Sequence, residues 1–258
     1  HDFKQFGKIT IIGEFTAIAS VIMCLLFLLV DLGQPMRALN VFLYPTPHSM
    51  VFWDATVLLG YLILNLVVGW NVLDAERNGV KPEKWVYPLI YISIPWAFAI
   101  HTVTAFLYCG LPGRGYWLTA IMAPRFLASA FSAGPAFLIL ICLFIRKATR
   151  FNISTDSIIA LAKIVLYGLL ANLFFLGCEV FVVFYSQIPE HIAHFQYLYT
   201  GLHGHSQLVP WMWSALGLLT AAVILLFLSV HQRNSEMLIF ACLAVFIGTW
   251  IDKGIVLI

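Results

Sequence analysis

Apolar and polar positions along this chain do not alternate with a helical or strand period; they come in blocks. Seven long apolar blocks stand out, at roughly residues 9–30, 51–73, 85–108, 123–145, 157–185, 210–230 and 237–257. A helix needs about 20 apolar residues to cross the hydrocarbon layer, and every block is long enough. The fifth is the longest and is expected to tilt or to run past the headgroups. Strands of a membrane barrel would be about 10 residues each with alternating faces, which none of these blocks resembles. The pattern therefore predicts an all-α, polytopic transmembrane helix bundle, with residues 1–258 as a single integral membrane domain.

Composition agrees with the pattern. Hydrophobic residues make up 62 % of the 258 and charged residues 10 %. Soluble domains carry about 25 % charge, so a water-facing surface cannot be covered from this chain. A formal net charge of +2 gives no sign of a nucleic-acid partner. The chain opens at His1 shortly before one apolar block and closes at Ile258 inside another, so further spans are expected at one or both termini.

The charges report orientation. Lys4 and Lys8 precede the first block; Arg77, Lys81 and Lys84 follow the second; Arg146, Lys147 and Arg150 follow the fourth; Arg233 follows the sixth. These connections all fall on one side, here side A. Side B holds Arg37 and Arg114, with Arg125 near the boundary. By the positive-inside rule side A is cytoplasmic, and the loops at 31–37 and 186–209 are extracytoplasmic, which implies a multi-pass protein of the cytoplasmic (inner) membrane. Trp53, Trp70, Trp85, Tyr87, Trp117, Trp211 and Trp213 cluster near span ends as an interfacial belt.

Cofactor ligands are sparse. Cys24, Cys109, Cys142, Cys178 and Cys242 are widely separated, with no C-x-x-C, so no iron–sulfur run, zinc knuckle or c-type haem motif is present. Only His101 lies well within a span, which disfavours a haem b held by two intramembrane histidines. His191, His194, His203 and His205 share one side B loop; loop polarity explains them better than a metal site.

Ionisable groups in the hydrocarbon layer are the informative ones, since they usually face a cavity, a ligand or an opposite charge. Glu14, Asp54, His101, Arg125, Lys163, Glu179, Asp252 and Lys253 qualify. His101 sits about two turns from the side B end of the third span. Its imidazole titrates near neutral pH and can exchange a proton with a quinone or quinol; a packed, bonded histidine is the bland alternative. Arg125 is either a second hydrogen-bond partner for a quinone, a partner of Asp31 or Asp54, or an arginine snorkelling to the interface. Glu179 lies deep in the fifth span, where an idle charge costs about 2.5–3.5 kcal/mol. With Asp54, Lys163 and Asp252 it forms a candidate proton pathway; local neutralisation, including an Asp252–Lys253 pair near the interface, is the alternative. Asp31, Gly33, Pro35 and Arg37 are expected to shape the first side B loop, with Asp31 capping it or pairing with Arg37.

Three stretches together resemble a known family. Val30-Asp31-Leu32-Gly33-Gln34-Pro35-Met36-Arg37 resembles a D-L-G-x-P element that follows a span on the electron-input side; His101-Thr102-Val103-Thr104-Ala105 is similar to the region where members place a tyrosine or histidine at the quinone site; and Pro124-Arg125-Phe126-Leu127-Ala128-Ser129-Ala130-Phe131-Ser132-Ala133-Gly134 resembles the following span with its small-residue face. The family is the NrfD/polysulfide reductase membrane-subunit group. It includes the membrane subunits of alternative complex III, of quinone reductase complexes and of sulfate-reducer complexes linked to dissimilatory sulfite reduction. The resemblance implies eight to ten spans and a quinone, menaquinone above all, bound near the extracytoplasmic face by His101, Thr102 and Arg125. It implies no haem or cluster in this subunit, and a docked extracytoplasmic ferredoxin-like iron–sulfur protein, with a multihaem cytochrome c among further partners. The function so implied is a quinone-interacting membrane subunit of a respiratory oxidoreductase; proton conduction is the expectation from the buried ionisable residues. A secondary transporter and a passive anchor for redox subunits remain alternatives from the residues alone.

Overall fold

A computed structural model describes residues 3–111, 113, 115–149 and 153–257; Arg114 and Arg150, used above for sidedness, lie outside the described residues, as does His1, and so do the side chains of Lys4 and Lys8. In order, the chain forms α1 (Phe3–Asp31), a 3₁₀ turn (Pro35–Arg37), α2 (Asn40–Leu43), α3 (Met50–Arg77), α4 (Val86–Cys109), a second 3₁₀ turn (Gly115–Trp117), α5 (Met122–Ala148), α6 (Thr155–Ser186), α7 (Pro189–Tyr199), α8 (Val209–Gln232) and α9 (Ser235–Leu257). No strand occurs among the described residues.

Among the described residues, seven helices are long and apolar enough to cross a membrane: α1 from Ile9, α3, α4, α5, α6, α8, and α9 to Ile255. They coincide with the seven apolar blocks, and α6, at 32 residues, is the longest. Large apolar side chains point outward along them: Trp70, Phe144 and Tyr167 are each about 70 % exposed. In water that surface would be unstable; in lipid it costs nothing, because acyl chains are as apolar as the side chains.

The chain divides into two compact units, residues 1–110 and 111–258. In the first, α3 packs on both α1 and α4. Trp96 of α4 lies over Gly60 of α3 and donates its indole N–H to the Val57 carbonyl at 2.9 Å. Any side chain at position 60 would collide with that ring, since an ideal Cβ there comes 2.5 Å from it. The loop after α1 turns at Gly33, whose φ of +60° is left-handed backbone that glycine adopts without strain, and Pro35 opens the 3₁₀ turn with its fixed φ. Asp31 and Arg37 are both exposed, and the ion pairs among the described residues include neither. The expected Asp31–Arg37 pair does not form there.

In the second unit α5 and α6 run antiparallel, α8 and α9 form a hairpin, and α9 also packs on α5. Small buried residues on α5 (Ala128, Ser129, Ser132 and Ala136) let α6 approach closely. At the crossing, a Cβ on Gly168 would sit 2.9 Å from the Phe131 backbone. The α8–α9 turn passes through Arg233 at φ +55°, and Asn234 caps α9 by accepting from the Glu236 and Met237 amides.

The segment 186–209 is more regular than a polar loop. Pro189 opens α7 at its first turn, where a missing N–H costs nothing, and α7 buries Phe195 and Leu198. It lies across the end of the unit against α6, α8 and the second 3₁₀ turn.

Candidate functional site

A closed cluster of charge sits in the second unit, just below the end that α7 and the second 3₁₀ turn cover. Arg125 is the fourth residue of α5, and its side chain is 4 % exposed. Nη1 donates to Oε2 of Glu179 on α6, and Nη2 donates to both carboxylate oxygens of Asp252 on α9, at 2.9 and 3.1 Å. Glu179 and Asp252 are as deeply buried as the arginine. Lys253 places Nζ 3.9 Å from Asp252 and 4.8 Å above the Phe126 ring. Two cations face two carboxylates, so the fully ionised cluster is neutral, which is the condition for carrying charge in a low-dielectric interior. Arg125 Nε has no hydrogen-bond partner among the described residues.

Tyr116 of the second 3₁₀ turn joins the cluster, its hydroxyl accepting from Arg125 Nη1 at 3.4 Å. Burial pushes the Tyr116 phenol well above its ordinary range, with Glu179 adding to the rise and Arg125 opposing it. Tyr199, at the end of α7, is pushed up to about 12, first by burial and then by Asp252. Both phenols therefore stay protonated at neutral pH. A ring contact links Tyr116 to Phe195 (centroids 5.1 Å apart), Phe195 stacks on Tyr199 (6.0 Å), and Tyr199 meets Trp213 edge-on (6.1 Å).

Two cavities adjoin this arrangement. One, of about 80 Å³, is lined by Glu179, Tyr116, His191, Thr119 and Phe195 among others, so the buried carboxylate is reached from the α7 end beside an imidazole. The other, of about 380 Å³, lies between α6, α7 and α8 and is mostly apolar. Phe195 lines both cavities. His194, also on α7, packs against Gly115, where an ideal Cβ would come 2.8 Å from Nε2. His203 and His205 lie in the turn after α7, and the described residues bring no group of three or more His, Cys, Asp or Glu together.

In the first unit, α4 presents His101, Thr104 and Tyr108 at spacings of three and four, hence on one face. That face meets α3, because Thr104 donates to Asp54 Oδ1 at 2.6 Å. His101 is half-buried one turn away, with no hydrogen bond to its imidazole among the described residues. Thr102 points around the helix from it and donates its hydroxyl to the Phe98 carbonyl at 2.8 Å.

Of the residues singled out from sequence, the structure joins Arg125, Glu179 and Asp252. Arg125 finds its partners on α6 and α9 of its own unit, which commits both terminal nitrogens. Asp252 turns toward Arg125 and lies nearer to it than to Lys253, and the Arg125 and Asp252 side chains are both buried within the unit. Lys163 is exposed. It lies 16 residues before Glu179, about 160° around α6 at 100° per residue, so it stands off the buried face that carries the cluster. Asp54 pairs with Thr104 within the first unit. Sequence reasoning misses Tyr116 and Tyr199 and takes His191 for loop polarity; the spacing Ile192, Phe195, Tyr199 is the available sign that their loop is helical and one-sided.

Comparison with known proteins agrees with this architecture. The family described as "Polysulphide reductase, NrfD" matches residues 1–258. A putative dimethyl sulfoxide reductase membrane protein of Halobacterium salinarum, a subunit of that enzyme, is 24 % identical over 95 % of the chain. A selenate reductase subunit of Mesobacillus selenatarsenatis is 25 % identical over 58 % of it, and an Hdr-like menaquinol oxidoreductase integral membrane subunit of Archaeoglobus fulgidus is 22 % identical over 69 %. The chain spans about half the length of these relatives: 58 %, 43 % and 44 % respectively.

Proposed function

Because this chain belongs to the NrfD polysulphide reductase family, we propose that it is the quinone- or quinol-interacting membrane subunit of a respiratory oxidoreductase complex. The observation that carries this reading is His101, an imidazole inside a membrane span, without a protein hydrogen-bond partner among the described residues and one turn from the Thr104–Asp54 pair. In that setting the imidazole accepts a proton from a quinol hydroxyl or donates one to a quinone carbonyl, which is what a two-electron, two-proton carrier requires of its site. The Archaeoglobus relative, named for menaquinol, favours menaquinone as the carrier. Electrons pass to or from an extracytoplasmic iron–sulfur protein docked on the face that bears the loop at 31–37, with a multihaem cytochrome c among further partners. Side A is cytoplasmic in this reading, because Arg77, Lys81, Lys84, Arg146, Lys147 and Arg233 gather there.

Proton conduction belongs to the same proposal. Glu179 and Asp252 are its candidate carriers, reached from the α7 end beside His191. Lys163 stands off the face of α6 that carries Glu179, so the path assigned within this unit does not include it.

The test is replacement of His101 by alanine and by glutamine in the assembled complex. Loss of proton exchange should lower quinol-linked turnover by about 10²-fold or more, with assembly and the amount of bound partner protein unchanged. Turnover and quinone affinity equal to the parent complex would remove His101 from the site.

A further inference from the structure

The 380 Å³ cavity between α6, α7 and α8 lies outside everything assigned so far. Its size falls within the range of small-molecule sites. Leu176 and Val180 of α6 and Leu216 of α8 line its apolar part; Phe195, Tyr199 and Trp213 supply aromatic walls. Trp213 is 55 % exposed and Phe184 45 %, so the mouth opens on the apolar flank of the helices.

We infer that this cavity is a second binding site, for the planar ring of a lipid-soluble carrier of the quinone class, with His101 not among its walls. The inference rests on the proposed function for the choice of carrier. The argument for a ring is the geometry of the walls. Phe195 and Tyr199 stack at 13° between planes, and Trp213 stands edge-on to Tyr199 at 86°, a corner that offers a face and an edge to one further ring. A saturated acyl chain gains nothing from that corner. Polar groups stand in the same wall: the Gln196 side chain, the Thr200 hydroxyl, which donates to the Gln196 carbonyl at 3.0 Å and keeps lone pairs to accept with, and Tyr199 itself. They suit ring carbonyls or hydroxyls, while the exposed mouth leaves an isoprenoid tail in the bilayer.

Phe195 is the partition between this cavity and the smaller one that holds Glu179, His191 and Tyr116. A ring in the larger cavity would therefore lie one side chain from the charge cluster.

Photoaffinity labelling of the assembled complex in its membrane with an azido-quinone, followed by peptide mapping, tests the site. The expected result is label on the segment 195–216, competed by unlabelled quinone, reduced at least tenfold by Leu216→Trp or by Val180→Phe, and retained in His101→Ala. Label confined to 98–109 and lost in His101→Ala overturns this inference and leaves the proposed function standing. Label on 195–216 that excess phospholipid displaces as well as quinone does makes the cavity an acyl-chain site and overturns it too. Competable label nowhere on the chain overturns both readings. Two filling variants are used so that misassembly of one leaves the other to decide.

Discussion

Arg125 decides most of what happens around it. Its guanidinium holds two carboxylates 54 and 127 residues away in sequence, both withdrawn from water. Such a pair is weak evidence for net stabilisation, since desolvation offsets the attraction, but breaking it strands a buried charge. Arg125→Leu strands Glu179 and leaves Asp252 with Lys253 alone; it should cost about 3–5 kcal/mol or prevent assembly, read as a fall in thermal stability of the detergent-solubilised protein. Glu179→Gln keeps the shape and removes one anion, so it should lose less. Asn172 makes the opposite prediction. It is fully buried on α6, and neither its amide nitrogen nor its oxygen has a partner among the described residues. Replacing an unsatisfied amide by an apolar group of similar volume removes a desolvation cost, so Asn172→Leu should leave stability equal or raise it by about 1–3 kcal/mol. A clear loss would show that Asn172 binds an internal water.

Tyr199 gives a pH signature at the same scale. Its phenol is raised from 10.0 to about 12 in the folded protein. The folded state thus holds the proton more tightly than the unfolded one. The stabilisation is fully present below about pH 10 and is lost as pH rises from there through about 12. Alkaline unfolding followed with phenolate absorbance should show this, and Tyr199→Phe should flatten the profile across that window.

The elements show how local chemistry and packing divide the work. The spans are legible in the sequence because lipid imposes a length and a composition on each helix separately; α3 begins at Met50 where the apolar block begins at 51, and α6 ends at Ser186 where the block ends at 185. α7 is not legible as a helix, because 11 residues with two histidines, a glutamate and a glutamine look like a polar loop when no packing surface is known. Its apolar positions at 192, 195 and 199 carry the period, but only burial of Phe195 and Leu198 against neighbouring helices makes so short a helix hold. The α5–α6 crossing rests on Gly168. Gly168→Leu would drive a side chain into the Phe131 backbone and push the helices apart; loss of the charge cluster, and of stability in the detergent-solubilised protein, is the expected outcome.

At the scale of the chain, the described residues form seven candidate spans in two compact units, and their orientation is a further expectation. In a cysteine-free background, Glu83→Cys should react only with reagents reaching the cytoplasm and Gln207→Cys only with impermeant reagents added outside. The reverse pattern would invert the assigned topology.

Sequence alone determined the all-α membrane class, the limits of the described spans to within a few residues and the family, because each of these is written in single segments: hydropathy, length and short motifs. Tertiary structure decided which charges meet. Arg125 had several candidate partners at comparable plausibility, and only the packing of α5 against α6 and α9 selected Glu179 and Asp252. Helical periodicity alone puts Lys163 on the far side of α6 from Glu179, but only the packing folded Tyr116, His191 and Tyr199 over the buried carboxylates. Such pairings follow from how helices rotate and cross, and a linear chain of apolar residues carries almost no record of that rotation.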